Sequence, residues 1–158
     1  EALALSDSIA IMRAGQIVEI GTPRKIYFHS DHRFVADFIG RANLVKATVR
    51  AHENGQTGVE CGLGTIACEQ RDITVGTEAT LCIRPEYIHI VPGGNDLAGD
   101  NVVRGRVESL VFVGEAYEVE IRAGSEVLLA KVVPDGELRE GDPVGFRLDP
   151  AHCLLVSV

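Results

Sequence analysis

Two histidines and an aspartate near the start of the chain are the first residues that could bind a metal ion. His29 and His32 are separated by two residues, and Asp31 lies between them. A zinc site takes three or four ligands in a fixed geometry, and these two imidazoles would have to meet across a turn. We therefore interpret both as surface histidines at helix ends and expect no metal site.

The four cysteines offer redox or nucleophilic chemistry. Cys61, Cys68, Cys82 and Cys153 are widely spaced and form no Cys-x-x-Cys pair. No signal peptide is visible, so a disulfide framework is not expected, and reduced thiols in a cytosolic protein are favoured. Free cysteine commonly serves as a small buried apolar side chain.

Motifs for hydrolytic chemistry are absent from the sequence. No phosphate-binding GxxxxGK[ST] loop and no GxSxG nucleophile elbow occurs. Four acids within residues 108–120 are interpreted as a solvated strand face rather than a general acid–base pair: Glu108, Glu115, Glu118 and Glu120. We predict no catalytic, cofactor-binding or metal-binding residue.

The strongest candidate for a structural or interface motif is Arg84-Pro85-Glu86. Proline fixes φ and ends a strand, so one interpretation is a rigid corner in which Arg84 and Glu86 bond to local backbone or to each other. The other places Arg84 at a contact between barrels or subunits, where its planar fork binds carboxylate or carbonyl oxygens. Gly114 is a further candidate interface residue.

The helical signals of the chain are confined to its first 43 residues. Ala2–Leu5 look like the last turn of a helix, and two β-rich runs at 9–12 and 16–20 flank a hairpin turn at 13–15. Thr22 and Pro23 begin a second helix. Asp31 is predicted to cap a third, with Phe34, Val35, Phe38 and Ile39 on its apolar face and Gly40 at its end.

From Asn43 onward the pattern is typical of short β-strands. Alternation is clearest at Tyr117–Arg122, where every second residue is apolar. Turn residues, including Pro134-Asp135-Gly136, separate the runs. The predicted strands are 45–51, 58–60, 65–68, 79–83, 87–91, 102–111, 116–121, 127–133, 143–148 and 154–156. A mainly β fold follows, either as two small barrels or as one with exchanged strands.

Charge is divided unevenly along the chain. Residues 1–43 hold five acids and five bases, whereas the rest holds 18 acids against 10 bases and carries the whole net charge of −8. An acidic surface repels phosphate backbones, so we expect no nucleic-acid partner. No apolar run approaches the roughly 20 residues that span a bilayer, so we expect no direct membrane insertion. The change in charge predicts a boundary near residue 43.

Several short segments follow one another along the chain in a characteristic order. They are EALALSDSIAIMRAGQIVEIGTP at 1–23, Ile26-Tyr27, FVADFIG at 34–40, Asn43-Leu44, IRPE at 83–86, Gly105-x-Val107 and Gly114. This order resembles the C-terminal part of the ATP-binding subunits of ATP-binding-cassette (ABC) importers for polyamines, iron, maltose and related solutes. One departure is Arg24-Lys25, where the family usually has acids after Thr-Pro; the helix dipole mildly disfavours bases there.

This resemblance implies a division into two parts. Residues 1–43 correspond to the end of an ABC ATPase domain, and residues 44–158 to an oligonucleotide-binding-fold-like (OB-fold-like) regulatory barrel, the TOBE domain. The implied role is regulation and homodimerisation of the ATPase subunit. The alternative is a barrel that senses a small ligand, namely an oxyanion, a metal or a polyamine.

The parent subunit would bind ATP and Mg²⁺ through motifs that this sequence lacks. Its partners would be permease subunits and a solute-binding protein, at the cytoplasmic face of the membrane. We expect the 158 residues alone not to hydrolyse ATP.

Overall fold

The computed structural model describes residues 1–133 and 138–157. The turn predicted at Pro134-Asp135-Gly136 lies outside the described residues. The first part holds α1 (Ala2–Leu5), a hairpin of β1 (Ile9–Arg13) and β2 (Gln16–Gly21), then α2 (Pro23–Phe28) and α3 (Arg33–Ile39). No helix in the described ranges is long and apolar enough to cross a bilayer.

Local sequence explains the first hairpin and α2. Ala14 and Gly15 both have positive φ, 49° and 78°, which suits the two central positions of a hairpin turn. The Thr22 hydroxyl accepts a hydrogen bond from the Lys25 amide at 3.3 Å, and Pro23 occupies the first helical position. The predicted hairpin and the start of α2 are therefore confirmed.

The predicted cap and apolar face of α3 are partly wrong. The N-cap is His32, without a side-chain cap, because the Asp31 carboxylate instead pairs with Arg71 at 2.7 Å. Val35 is fully buried, whereas Phe38 is 67% exposed and stacks on Phe34. A helix of seven residues can bury only a narrow stripe, so Phe38 lies outside it.

The remaining residues form two five-stranded antiparallel sheets, which confirms the mainly β fold. The first sheet has the order β12-β6-β3-β4-β5 and the second the order β7-β11-β8-β9-β10. The strands are β3 (Asn43–Glu53), β4 (Gln56–Cys61), β5 (Gly64–Glu69), β6 (Glu78–Ile83), β7 (Val91–Pro92), β8 (Val102–Phe112), β9 (Tyr117–Ala123), β10 (Glu126–Val132), β11 (Pro143–Arg147) and β12 (Cys153–Val156).

One predicted strand, 87–91, is wrong. A 3-10 turn occupies Pro85–Tyr87, and only β7 follows it as a two-residue strand. Pro85 fixes φ at the first position of the turn, and the Tyr87 amide donates to the Arg84 carbonyl at 3.0 Å. An equivalent 3-10 turn, Pro150–His152, precedes β12.

The two sheets are built on the same plan and exchange one strand. Each has a long central strand, β3 or β8, a following hairpin and a return strand. The short last strand of each half then joins the sheet of the other half: β7 pairs with β11, and β12 pairs with β6. Of the two arrangements left open by the sequence, the structure has the one with exchanged strands.

Irregularities in the two long strands repeat in the same way. The register of β3 shifts after Val49, and that of β8 shifts after Val107. At each bulge the valine amide and carbonyl bond to a Gly-x turn, at Gly76-Thr77 and at Gly141-Asp142. One apolar core contributed by both sheets lies between them, including fully buried Val119, Ile121, Leu128 and Phe146.

Candidate functional site

Arg84 joins the β sheets to α2 and α3 of the N-terminal segment, residues 1–43. It follows β6 and is only 4% exposed. Its Nη1 donates to the carbonyls of Ala36 and Gly40, each at 2.9 Å, and to that of Arg41 at 3.4 Å, while Nη2 donates to that of Tyr27 at 3.2 Å. These carbonyls lie in the last turns of α2 and α3 or just beyond, where helices leave acceptors unpaired and the dipole is negative.

Tyr27 completes the contact around Arg84. The guanidinium lies over its ring, 4.3 Å from the centroid, and its hydroxyl donates to the Glu86 carboxylate at 2.5 Å. Burial and this hydrogen bond raise the pKa of Tyr27 to about 12. Arg84 and Glu86 therefore hold Tyr27 from two sides, with Pro85 fixing the corner between them.

Apolar packing and ion pairs strengthen the same junction. Ala36 of α3 is fully buried against Cys82, Leu154 and Val156 of the first sheet. The Arg41 guanidinium lies 2.6 Å from the Glu118 carboxylate, in addition to the pair between Asp31 and Arg71. The N-terminal segment is thus held against the two five-stranded sheets, together called the β domain, by a buried cation, a small apolar cluster and peripheral ion pairs.

Gly114 lies away from this junction. It occupies the turn between β8 and β9 with φ of +97°, and a Cβ added there would meet open space among the described residues. The side chains before it, Val111, Phe112 and Val113, are exposed, Phe112 by 58%. The structure therefore brings Arg84, Pro85 and Glu86 together and leaves Gly114 beside a separate exposed apolar surface.

A cavity of about 160 Å³ opens beside Arg84, between α2 and the two 3-10 turns. The rings of Tyr87 and His152 stack there with centroids 3.7 Å apart and planes 5° from parallel. These two residues occupy equivalent positions in the two halves, each at the end of its 3-10 turn. Neither was predicted as a site residue, although the repeated Pro-x-aromatic pattern of Pro85–Tyr87 and Pro150–His152 is a signal for them.

The histidine pair and the cysteines take other roles. The His29 Nδ1 lies 3.6 Å from a Glu69 carboxylate oxygen, and His32 forms a β-bridge with Ser157. Across residues 1–133 and 138–157, no group of three potential ligands is placed to hold a metal. Burial raises the pKa of the Cys68 and Cys153 thiols, the latter to about 12, which keeps them protonated and unreactive near neutral pH.

Part of the chain matches a known domain family. Residues 81–156 match the TOBE domain. The cytoplasmic molybdate-binding protein ModG, solved with molybdate bound, superposes with a TM-score of 0.66 over 73% of this chain and 96% of that chain. The sequence identity is 14%, so this likeness concerns the fold alone, and it confirms the OB-fold-like architecture.

Relatives of known function match almost the whole chain. It is 35% identical over 164 residues to the spermidine/putrescine import ATP-binding protein PotA of Pseudomonas aeruginosa, covering 98% of this chain and 45% of that protein. The protein of the same name from Rubrobacter xylanophilus is 33% identical over 165 residues, covering 99% and 42%. That from Nitrosospira multiformis is 38% identical over 141 residues, covering 85% and 39%.

The chain spans less than half the length of these relatives. Within that span, the match includes both the N-terminal segment and the β sheets, in agreement with the motifs found in the sequence. The chain is therefore related, along almost its whole length, to the C-terminal portion of ABC importer ATP-binding subunits, and its residues 81–156 match the TOBE domain.

Proposed function

We propose that this chain is the regulatory portion of an ABC importer ATP-binding subunit. Residues 1–43 are the end of the ATPase domain, and residues 44–158 form the regulatory domain. The observation that carries this proposal is the buried Arg84, which bonds to carbonyls at the ends of α2 and α3 across that boundary. A movement of α2 and α3 cannot leave the β domain behind without breaking these bonds, so the two parts move together.

Homodimerisation is the second element of the proposal. ATPase domains of this class work as pairs, and a contact between β domains keeps a pair at high effective concentration when the nucleotide sites open. The exposed Val111, Phe112 and Val113 beside Gly114 support a contact with a second copy at this turn. Arg84 is directed inward, so its role in this proposal is to couple the parts within one chain.

The chemistry belongs to the parent subunit. ATP and Mg²⁺ bind there, and the 158 residues by themselves do not hydrolyse ATP. The partners of the parent are permease subunits and a solute-binding protein, which place it at the cytoplasmic face of the membrane. The relatives named above import spermidine and putrescine, and a polyamine is accordingly the proposed solute.

Sedimentation velocity between about 1 and 100 µM tests the dimer. We expect a concentration-dependent monomer–dimer equilibrium that Phe112→Ser shifts toward monomer. Val75→Ser is the matched control, because Val75 is exposed by 53% in the other half of the β domain. A strict monomer throughout, or equal effects of the two variants, would overturn the proposed contact.

Coupling is tested in the intact subunit assembled with its permease. Arg84→Gln is expected to reduce solute uptake more than it reduces ATP hydrolysis, because the nucleotide sites are untouched while the link to the regulatory domain is weakened. A proportional loss of both would indicate that the variant lowers only the amount of folded subunit.

A ligand-sensing barrel is the second candidate function. The fold likeness to a molybdate-binding protein favours it, while the net charge of −8 opposes anion capture and suits a polyamine. Calorimetry with molybdate and with spermidine separates these ligands. Heats equal to those of dilution for both would remove this candidate without affecting the dimer.

A further inference from the structure

The cavity between α2 and the two 3-10 turns has the size of a single-ring ligand. Its volume, about 160 Å³, is close to that of a cavity known to accept one benzene molecule. It is lined on one side by Arg24, Phe28 and His29 of the N-terminal segment. Tyr87, His152 and Leu154 of the β domain line the other side.

The walls of the cavity favour a flat ring. Tyr87 and His152 form a parallel stack, and the Phe28 ring is tilted by 53° at 6.4 Å from that of Tyr87. Leu154, only 6% exposed, adds an aliphatic surface. Aromatic side chains pack well against another ring through offset stacking or edge-to-face contact.

The charge that lines the cavity is positive, although the chain as a whole is acidic. Arg24 is exposed, lies over the Phe28 ring at 5.3 Å and takes part in none of the ion pairs found in the described ranges. Among the residues that the structure describes, no carboxylate lines the cavity, since Glu86 is turned to the Tyr27 hydroxyl and Glu69 to His29. The Arg24 guanidinium is therefore available to an anion.

We propose that this cavity binds a small planar aromatic carboxylate. The ring packs beside Phe28 and the stack of Tyr87 and His152, and the carboxylate faces Arg24. Because Arg24 and Phe28 belong to α2 while Tyr87 and His152 belong to the β domain, the ligand contacts both parts and stabilises their arrangement. This site goes beyond the proposed regulatory and dimerisation role and does not depend on it.

Benzoate is the probe, added to the 158-residue chain and followed by two-dimensional ¹H–¹⁵N NMR and by thermal unfolding. We expect shift changes confined to the cavity, saturating with a Kd on the order of 1 mM, as suits a ligand of about nine heavy atoms. The midpoint of thermal unfolding rises with benzoate concentration, because the ligand binds only the folded state.

Three variants locate the contacts. Arg24→Gln should weaken benzoate binding about fivefold or more, and His152→Leu by a similar factor. Arg13→Gln is the matched control, since Arg13 lies over Phe34 at 4.9 Å in the same manner but away from the cavity, and it should leave the Kd within about twofold. NMR spectra of each variant without ligand verify that the fold is retained.

Two further ligands separate the ring from the charge. Benzyl alcohol keeps the ring without the carboxylate, and cyclohexanecarboxylate keeps the carboxylate without the flat ring; both should bind at least about fivefold more weakly than benzoate. Absence of localised shifts at about 20 mM benzoate, equal effects of Arg24→Gln and Arg13→Gln, or equal binding of benzyl alcohol would overturn the proposal.

Discussion

Asn43 and Asn101 occupy equivalent positions at the starts of the two long strands. Each side chain pairs with the backbone of one residue in the other half, as a neighbouring strand would. The Asn43 amide group accepts from the Leu129 amide at 2.7 Å and donates to the Leu129 carbonyl at 2.8 Å. Asn101 makes the same pair of bonds to Ala67, both at 2.7 Å. The two sheets are therefore joined twice, once by the asparagine of each half.

Replacing either asparagine by alanine is expected to lower the free energy of unfolding by about 2–3 kcal/mol, because partly buried backbone groups lose their partners. Asn101→Ala should be more severe by about 1 kcal/mol, since Asn101 has φ of +57° and alanine disfavours that conformation. Urea unfolding measures both values. Equal losses for the two variants would show that the backbone strain at residue 101 relaxes.

Arg84→Gln and Arg84→Lys are each expected to lower the free energy of unfolding by about 3 kcal/mol. Neither side chain can reach carbonyls of both α2 and α3 at once, and a lysine ammonium would be buried with fewer partners. Arg50→Gln is the control: Arg50 pairs with Glu60 at 2.8 Å on the surface, and its loss should change stability by about 0.5 kcal/mol or less. If Arg84→Lys behaves like this control, the four-carbonyl contact is not what stabilises the junction.

Tyr27 gives the junction a dependence on alkaline pH. Its pKa is raised from 10.0 to about 12 in the folded chain, so its contribution to stability is complete below pH 10 and is lost as the pH rises through 12. Allowing for screening of a half-buried group, we expect this contribution to be about 1 kcal/mol. Urea unfolding at about pH 9 and pH 11 should show a smaller loss of stability for Tyr27→Phe than for the parent chain. Tyr117→Phe, which removes a hydroxyl from the other half, should keep the loss seen in the parent chain.

Gly124 and Gly114 both have positive φ but differ in their surroundings. A Cβ at Gly124 would collide with the Gly62 carbonyl oxygen, whereas one at Gly114 would meet open space. Gly124→Ala should therefore lower stability by about 3 kcal/mol or more, and Gly114→Ala by about 1 kcal/mol from backbone strain alone. Thermal and urea unfolding of both variants measure the difference. A milder effect at Gly124 would mean that the hairpins of the two halves separate easily at this contact.

The sequence alone determined the positions of nearly all strands. Alternation of apolar and polar residues, as at Tyr117–Arg122, and turn residues act over a few positions, so they are visible without knowledge of partners. The exception is the predicted strand 87–91. Its apolar residues favoured a strand, whereas Pro85 is the local signal for the 3-10 turn that is found there. The family motifs at 1–44 and 83–86 were likewise sufficient to identify the relatives.

Only the tertiary structure decided which sheet each short strand joins and what Arg84 binds. β7 is two residues long and β12 is four, and their sequences do not indicate which sheet each strand joins. Arg84 is 57 residues from its acceptor Tyr27 and 48 residues from its acceptor Ala36. The stacked Tyr87 and His152 are likewise far apart in the chain. Such contacts depend on how the whole core closes, because the free energy that selects them comes from burial shared by both sheets and the helices rather than from any one segment.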